Sequence, residues 1–232
     1  MWYKKKENLY KLDFNNLKNN LKNRNNKSLK IEIPDYKNNK KEYVIKRYSI
    51  FENNANNNVE TYHSNDGKLS ITLYDDHVRM FVFTDEENYS IKPSNSLETN
   101  IYSIKKFSNN KKNDKCSVKA NTSLKKRQIT DFVYPLELKK YNILIGIVQN
   151  QQNLFGTTNK LRLGRIIEIL NLINLIYKNN FSCYFTFPSQ ALQETAMSNN
   201  TFVESSISSF TGIFNAITSN YDIGDDIGHV IG

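Results

Sequence analysis

Apolar and polar positions change their period several times along the chain. Over residues 1–30, Leu9, Leu12, Leu17 and Leu21 recur at spacings of three to five among many Asn. That pattern predicts a short amphipathic helix at most, in a segment 1–41 that is otherwise poorly ordered. From 42 to 107 the period becomes two. Tyr43-Val44-Ile45 and Tyr48-Ser49-Ile50-Phe51 bound one strand, and Asp66-Gly67 marks a turn. Leu69-Ser70-Ile71-Thr72-Leu73-Tyr74 and Val78-Arg79-Met80-Phe81-Val82-Phe83-Thr84 flank Asp75-Asp76-His77, which predicts a hairpin with one buried face. Tyr89-Ser90-Ile91 and Ile101-Tyr102-Ser103-Ile104 extend the same small antiparallel module. Residues 108–131, with Lys111-Lys112, Lys115, Lys119 and Lys125-Lys126-Arg127, carry almost no apolar side chain and are expected to form an exposed basic linker.

The texture changes again in 132–232. Asn142-Ile143-Leu144-Ile145-Gly146-Ile147-Val148 is a continuous β-branched run, as expected of a central strand covered on both faces. Residues 160–179 switch to helical period, with a stripe of Leu163, Ile166, Ile167, Leu170, Ile173 and Tyr177 and a polar side of Arg162, Arg165, Glu168, Asn171 and Asn174. Phe181-Ser182-Cys183-Tyr184-Phe185-Thr186-Phe187 alternates as a strand and ends at Pro188. The unit 142–187 is therefore strand–helix–strand, expected to be parallel. A second helix is expected through Val203, Ile207, Phe210, Phe214 and Ile217, and a further strand from Asp226 to Ile231.

Charge follows the same division. Residues 1–130 hold 26 Lys and Arg against 15 Asp and Glu, a net of +11, whereas 131–232 hold 6 against 8, a net of −2. No motif for reading RNA or DNA accompanies the basic half, so nucleic acid is not the expected partner. No run of 18 apolar residues is present, so no membrane-spanning helix is expected, and the start Met1-Trp2-Tyr3-Lys4-Lys5-Lys6 does not read as a signal peptide. Two cysteines, Cys116 and Cys183, exclude a disulfide framework. His63, His77 and His229 are too scattered for a self-contained zinc or Ser-His-Asp site. The glycines Gly146, Gly156 and Gly164 do not form a phosphate loop, and Asp75-Asp76 and Asp85-Glu86-Glu87 fall at turns.

The string Ser219-Asn220-Tyr221-Asp222-Ile223-Gly224 with Asp226-Ile227-Gly228-His229-Val230, together with the strand Tyr141–Val148 and the helix around Arg165–Tyr177, resembles the opening of a reprolysin-like metzincin zinc-peptidase domain. The Asp-Ile-Gly element is doubled here, at 222–224 and 226–228. The resemblance implies a partial zincin-type mixed sheet with two helices in 132–232, preceded by a propeptide-like antiparallel module, an α+β or α/β chain overall. It implies that Ile227, Gly228, His229 and Val230 form the edge strand that pairs with a peptide substrate. It makes Cys116 a candidate cysteine switch, since a thiolate ligating zinc holds such zymogens inactive. It makes Lys125, Lys126 and Arg127 a candidate processing site. Secretion or a cell-surface location is implied with it.

In that family zinc-bound hydroxide attacks a peptide carbonyl, and two His one helical turn apart hold the metal. The His-Glu-x-x-His string that supplies them is not among these 232 residues. The chain is therefore expected to be prosegment plus an incomplete catalytic domain, binding no catalytic zinc and inactive by itself. The alternative is a non-catalytic basic module that contacts protein or nucleic acid. A weaker third option is a degenerate peptidase whose sheet edge after residue 226 is capped or dimerised.

Overall fold

The computed structural model describes residues 2–6, 8–22, 28–52, 59–94, 99–107, 138–147 and 152–198, and the backbone of 227–231. Its first part is an antiparallel sheet of β1 (Trp2–Lys6), β2 (Leu9–Leu12), β3 (Leu29–Pro34), β4 (Lys40–Tyr48), β5 (Glu60–Ser64), β6 (Leu69–Leu73), β7 (Val78–Val82), β8 (Tyr89–Pro93) and β9 (Ile101–Lys106). The strand order is β1-β2-β9-β8-β7-β6-β5-β4-β3. One helix, α1 (Phe14–Lys22), buries Phe14, Leu17 and Leu21 in the same core as Ile31, Tyr43, Ile71, Met80 and Ile91. The expected hairpin is present, with Leu73 opposite Val78 and Leu69 opposite Val82.

The antiparallel unit starts at Trp2, not at 42, and 1–41 is built into it. Tyr10 and Leu12 are buried on alternate positions of β2, so Leu9 and Leu12 belong to a strand and only Leu17 and Leu21 to the helix. Asp13 caps that helix, its Oδ1 accepting from the Asn16 N–H at 3.1 Å. Asn15, Asn16, Asn19 and Asn20 stand outward, so their poor helix propensity is outweighed by the three buried apolar side chains. A second difference lies at Tyr48, where β4 ends; Ile50 and Phe51 leave the antiparallel core and join the other one.

The second part comprises β10 (Lys139–Ile147), α2 (Gln152–Phe155), α3 (Asn159–Phe181), β11 (Cys183–Thr186), α4 (Gln190–Ser198) and β12 (Ile227–Ile231). Its sheet has the order β11-β10-β12, and both described pairings are parallel, so no mixed sheet is seen among these strands. The helix expected through Val203–Ile217 lies outside the described residues. The observed second long helix, α4, occupies a stretch without a clear apolar period. Ile143 to Ile147 are buried throughout, as a central strand requires.

Helix α3 starts at an N-cap, Thr158, whose Oγ1 accepts from the Leu161 N–H at 3.3 Å, and ends at Ser182 in the left-handed region, φ 50°. Its apolar stripe packs on β10 through Leu163, Ile166, Ile167 and Leu170. Its polar side does not face water. Glu168, Asn171 and Asn174 are buried, the first two against Tyr74, Arg79, Ile71 and Thr72 of the antiparallel part and Asn174 against Phe185 of β11. Asn171 Nδ2 donates to the Ile71 carbonyl at 2.9 Å and to Thr72 Oγ1 at 3.1 Å. Strand β6 is therefore buried on both faces: Leu69, Ile71 and Leu73 meet their own core, and Thr72 meets α3. Among the described residues no helix is long and apolar enough to cross a membrane.

Candidate functional site

Strand β12 carries the four residues to which the family resemblance gives a substrate-pairing role. Ile227, Gly228, His229 and Val230 lie opposite Ile143, Leu144, Ile145 and Gly146 of β10 in parallel register. β10 is central because its β-branched run tolerates cover on both faces, and β12 is terminal in the sheet order. Among the described residues β12 pairs with β10 alone, which leaves its second edge without a strand.

The opposite side of the sheet is closed, and side chains close it. Asn174 of α3 places its amide against the peptide of Phe185 in β11: Oδ1 accepts from the Phe185 N–H at 2.7 Å, and Nδ2 donates to the Phe185 carbonyl at 2.7 Å. Just past the end of β11, Phe187 pairs with Phe51 in a parallel bridge. The Phe187 N–H donates to the Ile50 carbonyl at 2.7 Å, and the Glu52 N–H to the Phe187 carbonyl at 3.0 Å. Past Thr186, the last strand residue of β11, Gln193 of α4 takes over for β10. Its Oε1 accepts from the Ile145 N–H at 3.0 Å, and its Nε2 donates to the Ile145 carbonyl at 2.7 Å. Gln193 is fully buried. Each amide does for one peptide group what a neighbouring strand would do, so neither is left as an orphaned buried pair.

The junction between the two sheets is polar and tightly paired. His63 of β5 donates from Nε2 to the Asn171 carbonyl at 3.0 Å and stacks on Tyr48 with ring centroids 4.7 Å apart. Its Nδ1 is buried without a partner among the described residues. Burial is the largest cause holding its pKa down to about 4, with the Lys178 ammonium adding to it and the bond to Asn171 opposing it. Nearby, the Tyr74 hydroxyl donates to Glu168 Oε2 at 2.9 Å and lies 2.9 Å from the Gly164 carbonyl. Burial, then the Glu168 carboxylate, push that phenol well above its ordinary range.

Cys116 and Lys125, Lys126 and Arg127 lie outside the described residues. Cys183 is half-buried, and burial raises its thiol pKa, which disfavours the reactive thiolate. His77 sits away from β12, with Nδ1 2.7 Å from Asp76 Oδ1 and its ring stacked on Tyr74. Among the described residues no three His, Cys, Asp or Glu side chains come together as a metal site. Asn171, Asn174 and Gln193 were not visible as site-forming residues, because an amide on a helix reads as a solvated side chain until the strand it meets is known.

No protein-family model matches the chain, and no curated protein is significantly similar to it.

Proposed function

We propose that the chain is the prosegment and the first half of the catalytic domain of a reprolysin-like zinc endopeptidase, with β12 as the strand on which an extended peptide is laid. The support is the sheet β11-β10-β12. The three segments read as the first strands of a peptidase sheet lie side by side and parallel, and the one carrying His229 stands at the edge. An exposed strand edge offers alternating N–H and C=O groups to an extended chain, and main-chain bonds then give affinity with little dependence on sequence. The opposite edge is shut by Asn174 and the Phe51–Phe187 bridge, so a peptide has one side to add to. In this assignment the nine-stranded unit is the prosegment, Cys116 the switch, and Lys125-Lys126-Arg127 the place of processing, in a secreted or cell-surface enzyme. Chemistry at the scissile bond is not assigned to any residue of this chain.

Fluorescence anisotropy of a dye-labelled, Val/Thr-rich ten-residue peptide tests the assignment. Saturable binding is expected, lost when alternate backbone nitrogens of the peptide are methylated and lost again in Val230→Pro. Equal binding of the methylated peptide overturns it. So does tight binding of single-stranded RNA with a steep salt dependence, which is the signature of the basic-module alternative.

A further inference from the structure

A cavity of about 670 Å³ opens between the β6–β7 hairpin and the α2–α3 corner, a size that suits a small organic ligand. Its two walls differ in chemistry. Val59, Leu154, Phe155 and Leu161 make one of them apolar. Leu154 is 77% and Leu161 56% exposed, so two leucines border the same cavity with most of their surface in water.

The other wall carries charges of both signs, with two guanidinium groups beside one buried carboxylate. The buried Glu168 carboxylate holds Arg165 at 2.7 Å through Oε2 and Arg79 at 3.5 Å through Oε1. One carboxylate against two guanidinium groups leaves a positive excess. A guanidinium has five N–H donors, and Glu168 engages one nitrogen of each fork. Asp75 and Asp76 line the cavity as well: Asp75 faces Lys18 at 3.8 Å and Lys160 at 3.5 Å, and Asp76 pairs with His77, so Arg79, Arg165, Lys160 and Lys18 stand against Glu168, Asp75 and Asp76, an excess of one positive charge counted over Lys, Arg, Asp and Glu.

We propose that this cavity binds an amphipathic organic anion, a carboxylate attached to an apolar chain or ring. The carboxylate lies against Arg79 and Arg165, whose planar forks suit it, and the apolar body covers Leu154, Phe155 and Leu161. Such a ligand touches the antiparallel unit and the parallel unit together, and so links them. The site is separate from the β12 edge and stands or falls independently of the peptidase assignment. Its chemistry is shared by a free medium-chain acid and by a peptide ending in a bulky apolar residue.

Isothermal titration of the full chain with octanoate, 1-octanol, acetate and N-acetyl-Gly-Gly-Leu tests it. Saturable, single-site binding is expected for octanoate or for the tripeptide, whichever is tighter naming the source. Acetate and 1-octanol are expected to bind at least about tenfold more weakly. Leu154→Asp and Leu161→Asp, both at exposed positions, are expected to weaken the anion about tenfold. Arg165→Gln is expected to weaken it without changing 1-octanol. The site is refuted by an absence of saturable anion binding, by 1-octanol binding as well as octanoate, or by Leu154→Asp and Arg165→Gln variants that are folded by circular dichroism and bind undiminished.

Discussion

At the residue scale, two side-chain amides, Asn174 and Gln193, bind backbone within the parallel unit, and a third, Asn171, ties α3 to the antiparallel sheet. Asn174, Asn171 and Gln193 are each buried; Asn174 and Gln193 each bond the N–H and C=O of one residue, and Asn171 donates to the Ile71 carbonyl and Thr72 Oγ1. Replacing one by an apolar residue of similar size strands a buried N–H and C=O. Asn174→Leu and Gln193→Leu should therefore lower stability by about 1–3 kcal/mol each, read as a shifted midpoint in urea. His63 carries a pH dependence. Its folded pKa lies near 4, below the ordinary 6.5. Between those values the unfolded chain takes up a proton that the folded chain refuses. The contribution is complete above pH 6.5 and is lost as pH falls toward 4, at up to about 1.4 kcal/mol per pH unit. Urea midpoints measured across that window should fall with pH in the parent chain and lose much of that slope in His63→Phe.

At the element scale, α3 is the shared component. Gly164 faces Tyr74, and a Cβ built on it would stand 2.8 Å from the Tyr74 ring. Helix propensity alone favours Ala over Gly by about 1 kcal/mol. Gly164→Ala should nonetheless destabilise the chain, and Tyr74→Leu should relieve that cost in the double variant; simple additivity of the two would contradict the contact. The same helix marks where the sequence is legible and where it is not. The stripe from Leu163 to Leu170 follows from period alone, and so do the run Ile143–Ile147 and the hairpin register from Leu73 to Val78. The burial of Glu168 and Asn171 does not, because it depends on a sheet some hundred residues earlier, and that of Asn174 depends on β11 folding back onto the helix. Strand β5, Glu-Thr-Tyr-His-Ser, has no apolar alternation; it is buried because β4 and β6 flank it and α3 covers His63. Strands β1 and β2 are short and lysine-rich and give little alternation, whereas Leu29, Ile31 and Ile33 of β3 do alternate with period two and are legible in the sequence.

At the scale of the whole molecule, the two sheets are coupled through His63–Asn171, Tyr74–Glu168 and the Phe51–Phe187 bridge. Trp2 is the sole tryptophan, and it is buried in the antiparallel core against Tyr102, ring centroids 5.7 Å apart. It therefore reports on one unit only. If the units unfold together, Gln193→Leu in α4 should move the Trp2 fluorescence transition by the same amount as the far-UV circular dichroism transition. A Trp2 transition left in place would mean that the antiparallel sheet is stable alone. The parallel sheet bears most directly on the proposed function, because the position of 227–231 decides whether a peptide has an edge to join. Hydrogen exchange of the 227–231 amides, followed with and without the ten-residue peptide, resolves that point. Partial protection in the free chain, from pairing with β10, should rise to near-complete protection when the peptide is added. Exchange as fast as in a short unstructured peptide, unchanged by added peptide, would show that no strand stands there to receive a substrate.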